Sequence, residues 1–347
     1  MPSPIHVAIL THAAGPHLDA YLTALAQCPE VETVSLADAS GATFAAAQKT
    51  LGPKLRQTHK DAATLLREIR PALALVTMEG VLSPPAIDLA LEHGCHVFAE
   101  KPACVRASDF EKLVQKAEAK HLQLMLALAN RITPANQEAR RLIRDGRLGK
   151  LYGLELHLIA DQTRLKNPNY AKNWYASKTR AGGGHLIWLG IHWLDLAMHL
   201  TGATITDVAG FSGNVGGQPL EVEDSNALAL RFDSGIFGTM TSGYYLERGY
   251  HQHIKIWGDK GWLWLCEQNE SPLQWQSSTD PKVTGLQTFK QPNEPRGYTP
   301  FVRAAVRAAA GLEAPPITPR EGLRVLDTVF AAYEAARTGH TKTVRRG

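Results

Sequence analysis

The 347-residue chain is poor in cysteine: Cys28, Cys95, Cys104 and Cys266 lie far apart and no CxxC pair exists. That spacing argues against a disulfide framework and fits a reducing compartment. No run reaches the ~20 apolar residues of a membrane helix. The opening MPSPIHVAIL lacks the basic n-region and the apolar length of a signal peptide. A cytoplasmic protein with no membrane partner is therefore expected. An excess of one charge is missing too. The formal net charge is +4, and basic residues are dispersed apart from the terminal KTVRRG, read as a solvated end, so there is no nucleic-acid footprint. Internal repeats and low-complexity segments are also absent. What remains, 44% apolar and 20% charged residues, is the balance of a globular chain, and its length predicts two domains.

The first third alternates short apolar runs with helical patterns. IHVAIL (5–10), VETVSLAD (31–38), ALALVTME, HVFAEKP and LQLMLALA read as five strands. Between them, HLDAYLTALAQC, AATLLREIR, PPAIDLALEHG and ASDFEKLVQKAEAKH read as helices. Such alternation implies βαβ units, a doubly wound parallel sheet and a ligand crevice beyond the carboxyl ends of the strands. ITPANQEARRLIRDGRLGK is a long helix ending near Gly146 and crossing into a second domain. There LYGLELHLIA, NALALRF, IFGTMTSGYY, HQHIKIWG and WLWLCEQ follow one another with turn signals at 233–235 and 258–261, the pattern of a large, mostly antiparallel sheet. The expected class is α/β, with residues 1–128 forming a dinucleotide-type domain. Residues 129–347 form an α+β domain whose helices within 299–337 pack back.

A dinucleotide fold places a glycine-rich turn after its first strand so that backbone can approach a pyrophosphate. Here the turn is ILTHAAGPH. Gly15 is its only glycine, and Thr11, His12 and Ala13 stand where glycines are usual. Small Ala13 and Ala14 still permit a close approach. Asp38 ends the second strand. Its carboxylate either accepts from ribose hydroxyls, favouring NAD over NADP, or serves a strand-to-helix loop. Lys101, in AEKP (99–102), ends the fourth strand at the carboxyl edge, its side chain aimed by Pro102.

AGGGHLIWLGIHWLDLAMHL (181–200) combines a three-glycine stretch, read as flexible, with a helix from about residue 185. At about 100° per residue, His185, Trp188, His192, Asp195 and His199 share roughly a quarter of its circumference. The stripe is either a core face of hydrogen-bonded histidines or the wall of an active site. A zinc site is not expected. Histidines seven apart stand two turns, about 10 Å, from one another and cannot all ligate one ion. HGCH (93–96) reads as a helix end, and HQH (251–253) as a strand with two imidazoles on one face.

AEKP, ANRITPANQEARRLIRDGRLGKL and GGGHLIWLGIHWLDLAMHLTG, with the later FVRAAVRAAAGLEAPPITPREGLRVLDTVFAAYEAARTG, resemble the glucose-fructose oxidoreductase / inositol dehydrogenase / MocA family over nearly the whole chain. The resemblance implies an N-terminal Rossmann domain and a C-terminal domain whose open sheet often forms subunit contacts. It also implies NAD(P)-dependent redox chemistry on sugars and polyols, in a homodimer or homotetramer. It assigns Lys101 to the reacting hydroxyl and the nicotinamide side, His192 to the hydroxyl proton and Asp38 to the ribose. Asn130 and Arg131 match a similar pair after the fifth strand, and Trp174 a tryptophan before the glycines. Thr11, His12, Ala13, Gly15, Thr77, Met78, Glu100 and Asn130 fall on the cofactor side, while Trp174, His185 and Trp188 fall with Lys101 and His192 on the substrate side. The third strand ends TMEG (77–80), where the family usually reads Thr-Pro-Asn. Trp188 stands where many members place an aspartate, and an indole cannot hold a proton or a negative charge. His192 then works without that acid, oriented by Asp195, or the activity is changed. Hydride transfer by His192 as general acid/base with Lys101 stabilising the alkoxide is the leading expectation. A sugar-binding protein without redox chemistry, and a redox-neutral, NAD-retaining glycosidase-like enzyme, are the alternatives.

Overall fold

The computed structural model describes residues 4–282, 285–295 and 297–345. Contacts group the chain into two compact units. One comprises Met1–Ala129, Thr179–Gly182 and Pro295–Leu323; the other comprises Asn130–Lys178, Gly183–Glu294 and Arg324–Gly347.

The first unit runs β1 (Ile5–Thr11), α1 (Leu18–Gln27), β2 (Val31–Asp38), α2 (Phe44–Leu51), β3 (Leu55–His59), α3 (Ala62–Ile69), β4 (Leu73–Thr77), α4 (Ser83–Glu92), β5 (His96–Ala99), α5 (Ala107–Ala119) and β6 (Leu124–Leu126). The sheet order is β3-β2-β1-β4-β5-β6 with every pairing parallel, and the order reverses between β1 and β4. Strands covered on both faces need unbroken apolar runs, and LALVT of β4 is buried at every residue. Five strands are expected from such runs, but the sheet has six. The addition is β3, LRQTH, a half-buried edge strand with one apolar residue, which hydrophobic patterning cannot flag. Helix α3 begins at Asp61, whose carboxylate accepts the Thr64 amide at 2.7 Å.

The second unit opens with α6 (Pro134–Arg144), followed by β7 (Leu151–Asp161) and the single turn α7 (Thr163–Lys166), whereas the single turn α8 (Lys178–Ala181) falls in the first unit from Thr179 on. Helix α9 (Ile191–Thr201) ends on Gly202 in the left-handed region, φ 70°. Then come β8 (Ile205–Gly213), β9 (Ser225–Phe232), β10 (Phe237–Leu246), β11 (Tyr250–Gly258), β12 (Gly261–Leu265), β13 (Leu273–Ser277) and β14 (Gln287–Thr288). Helix α10 (Tyr298–Ala309) belongs to the first unit and packs against α1. Helix α11 (Pro319–Thr338) and β15 (Lys342–Thr343) close the chain.

Among the described residues this sheet has nine strands in the order β14-β13-β12-β11-β7-β10-β9-β8-β15. All pairings are antiparallel except β7 with β10. The terminal KTVRRG is thus not wholly a solvated end: Lys342 and Thr343 pair with β8, while Arg346 and Gly347 lie outside the described residues. Burial alternates strictly along β9, where Leu228, Leu230 and Phe232 turn inward and Ala227, Ala229 and Arg231 outward. Helix α6 packs against β12 and β13, and α9 against β7. Such one-sided alternation leaves the opposite face open. No helix among the described residues is long and apolar enough to cross a membrane.

Candidate active site

In the first unit the turn after β1 is held by contact rather than by glycine content. A Cβ on Gly15 would lie 2.2 Å from Thr11 Oγ1 and 2.8 Å from the Thr77 carbonyl, so this one position must be glycine. Thr11 Oγ1 donates to the Thr77 carbonyl at 3.0 Å, and the Thr77 hydroxyl donates to the Pro16 carbonyl. Both threonine hydroxyls therefore hold the ends of β1 and β4 and the turn together. Ala13 and Ala14 are exposed, and α1 starts at His17 with no side-chain cap. Small exposed residues before an uncapped helix start suit a nucleotide phosphate. His12 adds no positive charge there: burial holds its pKa below the ordinary value, against the pull of Glu79 and Asp38, and the imidazole is neutral at neutral pH.

Asp38 is buried, not a surface loop acid. Oδ1 accepts the Ser40 amide at 2.9 Å and its hydroxyl at 2.8 Å; Oδ2 accepts the Thr43 amide at 3.0 Å and its hydroxyl at 2.9 Å. Burial works to raise its pKa, but these bonds prevail and hold the carboxyl below its usual value, so it carries a negative charge. Met78 is half-buried beside Glu79, a residue sequence reading missed, which pairs with Arg180 at 2.5 Å in the same unit. The Val81 amide also bonds the Arg180 carbonyl, at 3.0 Å, so TMEG is fixed by the KTRAGGG segment.

At the end of β5, Glu100 is buried against the Tyr21 hydroxyl and lies 3.3 Å from His17 Nδ1. Its carboxylate is thus engaged inside its own unit. Lys101 follows at 1% exposure, with a cis peptide bond to Pro102. Lysine is rarely so buried, so Lys101 is no ordinary surface lysine.

In the second unit the expected single helix is two elements. Leu186–Gly190 is a π-helical turn, and α9 starts only at Ile191. The π-turn disrupts the regular 100° spacing, so the uniform stripe expected from His185 to His199 is corrected. His185 and Asp195 are fully buried, while Trp188, His192 and His199 are half-buried. The glycines before it are packed, not flexible. A Cβ on Gly183 would lie 2.1 Å from the Tyr333 hydroxyl, and one on Gly184 2.0 Å from the Glu223 carbonyl.

Glu223 and Tyr333, which sequence reading missed, hold this helix start. The Glu223 carboxylate accepts the Gly184 amide at 2.6 Å, the Leu186 amide at 2.8 Å and the Tyr333 hydroxyl at 2.9 Å. The Ile187 amide donates to Tyr333 at 3.1 Å. Orphan amides of the first turn are thereby satisfied from a distant loop and from α11. Burial raises the Glu223 pKa, opposed by those amides.

Asp195 has a partner that the sequence did not point to. Arg131 Nε donates to both of its carboxylate oxygens at 2.9 Å and Nη2 to Oδ1 at 2.6 Å, with both side chains buried. That pair ties the turn after β6 to α9, while the Asn130 carbonyl accepts from Asn136 at 2.8 Å. Trp174, at 1% exposure, meets Trp188 edge-on with ring centres 5.5 Å apart, so Trp188 is the tryptophan with surface left to offer. On the open face of the sheet, Glu155, His157 and His253 bring one ligand atom each within 4.8 Å of one another. They are the described residues that could hold a metal. Their present arrangement is a Glu155–His253 contact at 2.8 Å with the imidazoles stacked at 4.8 Å.

The all-parallel sheet of the first unit, with its order reversing between β1 and β4, is the doubly wound class of fold that binds nucleotides. Residues 13–128 match the oxidoreductase family with an NAD-binding Rossmann fold, and residues 136–264 match the GFO/IDH/MocA C-terminal domain. The chain belongs to the Gfo/Idh/MocA family. It is similar to an uncharacterized oxidoreductase of Schizosaccharomyces pombe, 28% identical over 168 residues, 48% of this chain and 44% of that one. It is also similar to myo-inositol 2-dehydrogenase of Thermotoga maritima, 21% identical over 251 residues, 69% of this chain and 70% of that one. The chain spans about half the length of the first curated relatives it matches, 44% and 54%. Among solved structures, levoglucosan dehydrogenase in complex with NADH and L-sorbose shares the fold, with a TM-score of 0.86, 20% identity, and coverage of 99% of this chain and 100% of that one.

Proposed function

We propose that the protein is an NAD-dependent oxidoreductase transferring hydride between the nicotinamide and a hydroxyl or carbonyl carbon of a sugar, polyol or derivative. Family membership sets the class, and the observation that carries the reading is the burial of Lys101 at the carboxyl end of β5. Bound NAD supplies the hydride acceptor. The alcohol carbon gives up its C–H pair of electrons while the hydroxyl proton passes to the His192 imidazole, leaving a carbonyl. The Lys101 ammonium stabilises the developing alkoxide and, in reverse, polarises the carbonyl. The half-buried indole of Trp188 offers an apolar face to a sugar ring. Asp38, held ionised, repels a 2′-phosphate and favours NAD. Exposed Ala13 and Ala14 admit the pyrophosphate, while Thr11, Gly15 and Thr77 shape the turn.

Around this chemistry we place the protein in a reducing cytoplasm, its four cysteines forming no disulfide. It works as a homodimer or homotetramer joined through the open sheet face, where Phe211 is 81% and Phe237 63% exposed. Quenching of NADH fluorescence on titration tests the cofactor, and NADH production with a sugar panel tests the reaction. Lys101→Ala and His192→Ala should each lower turnover at least ~100-fold. Unchanged turnover in both would remove the mechanism. Sedimentation of Phe211→Asp should show loss of the oligomer.

A further inference from the structure

Helix turn α7 carries Arg164 into a cluster made wholly of second-unit residues. Its Nη2 donates to the Tyr250 hydroxyl at 2.8 Å and its Nη1 to the Tyr244 hydroxyl at 3.5 Å, with the guanidinium carbon 5.8 Å from the Tyr244 ring centre. A guanidinium has five N–H donors and cannot lose its charge. Here, among the described residues, its hydrogen bonds go to two neutral phenols and it makes no ion pair. Asp161, whose carboxyl feels the Arg164 charge, makes no ion pair with it. Asp161 takes the Thr163 amide and hydroxyl, and Glu223 takes the amides of the π-turn and the Tyr333 hydroxyl. A half-buried cation without a carboxylate is costly unless something else neutralises it.

A second observation at the same place also points to a ligand. His185 is 0% exposed, stands edge-on to Tyr244 with ring centres 4.6 Å apart, and neither of its ring nitrogens has a hydrogen-bond partner. Buried polar atoms without partners are rare. The cluster also borders the segment that leads to His192. Leu189 of the π-turn packs on the apolar patch formed by Ala160, Leu165 and Tyr244. The Tyr170 ring lies tilted against Tyr175 with centres 5.1 Å apart, and Tyr175 in turn lies 5.8 Å from Trp188.

We propose that Arg164, with Tyr244 and Tyr250 behind it and His185 beside it, receives an oxyanion carried by the substrate, so that the preferred substrate is a sugar bearing a carboxylate or a phosphate. The inference rests on the sugar-oxidoreductase reading and names its substrate class. A planar guanidinium binds either group through paired N–H donors, and the phenol hydroxyls keep its plane fixed between uses.

The test compares D-glucose, D-glucuronate and D-glucose 6-phosphate on the full chain. Calorimetric titration without cofactor reads binding, and NAD reduction reads turnover. The wild type should bind at least one of the two anionic sugars ≥10-fold more tightly than glucose, and which one it prefers separates carboxylate from phosphate. Arg164→Gln should lower the ratio of anionic to neutral kcat/KM at least ~10-fold, mainly through KM, and Arg164→Lys should recover part of it. Circular dichroism and the unfolding midpoint confirm that each variant folds, and Tyr250→Phe, which keeps the charge, gives a milder variant with a smaller loss of the same kind. Equal binding of neutral and anionic sugars, binding of neither anion, or an unchanged ratio in Arg164→Gln would overturn the proposal. Turnover of neutral sugars without anion preference sinks this inference alone. Anion binding at Arg164 without any NADH binding sinks the redox reading and leaves the subsite standing.

Discussion

Lys101 and His192 are held by opposite strategies. Lys101 stands two residues beyond β5, a short strand paired on both sides within one parallel sheet. His192 sits one residue into α9, which continues from a π-turn pinned by Glu223 and Tyr333 and whose second turn is pinned by Arg131, all far away along the chain. The first arrangement follows from strand order and is hard to disturb with one substitution. The second depends on a few buried polar contacts, each open to removal.

The sharpest way to break that contrast is Arg131→Ala, which takes the guanidinium away from the buried Asp195 carboxylate. Stability should fall by about 3–5 kcal/mol in urea unfolding; a change below about 1 kcal/mol would show that the pair does not anchor α9. In the first unit the comparable removal is Asp38→Ala, which takes away the acceptor of four hydrogen bonds. It should cost about 2 kcal/mol and narrow the preference for NADH over NADPH, read as a ratio of dissociation constants. If the ratio holds while stability drops, Asp38 serves its loop alone.

Gly183→Ala drives a methyl into the Tyr333 hydroxyl and should cost about 1–3 kcal/mol. Combining it with Tyr333→Phe in a double-mutant cycle should return part of that loss; strict additivity would argue that the two residues do not touch. The subtlest effect is on pH. Burial, with a smaller push from Arg164, lowers the His185 pKa from 6.5 to about 3. The fold therefore holds the neutral ring, its contribution is complete above pH 6.5, and it is lost as pH falls toward about 3, at up to about 1.4 kcal/mol per pH unit. In His185→Leu that slope should flatten by one proton relative to the wild type, and parallel curves would refute the assignment.

The same contrast explains what could be read from the sequence. The parallel sheet, AEKP at the end of its strand and the single turn glycine are local patterns, and they stand where periodicity and turn chemistry put them. Edge strand β3 was hidden because LRQTH has no apolar alternation. Glu223 and Tyr333 carried no signal, since VED and AAYEAA look like ordinary surface or helix sequence until tertiary contacts bring them to the glycine segment, and TMEG stands out only as a departure from Thr-Pro-Asn, with nothing local to pair Glu79 with Arg180. The π-turn was invisible for a related reason: a fixed 100° spacing assumes the regular helix it sets out to find. The Arg131–Asp195 pair was out of reach because its two members stand 64 residues apart, one on the turn after β6 and one in α9.

The lone parallel pairing in the second sheet has a practical consequence. Gly153 of β7 meets Phe237 of β10, so Arg164, the glycine stretch and α9 are all enclosed by one long closure of the chain. Closing a long loop costs only about 0.6 kcal/mol more for each doubling of its length. The exposed residues 166–169 between β7 and the π-turn can therefore be lengthened with little penalty to strand register, which makes them the natural place to graft a new substrate preference.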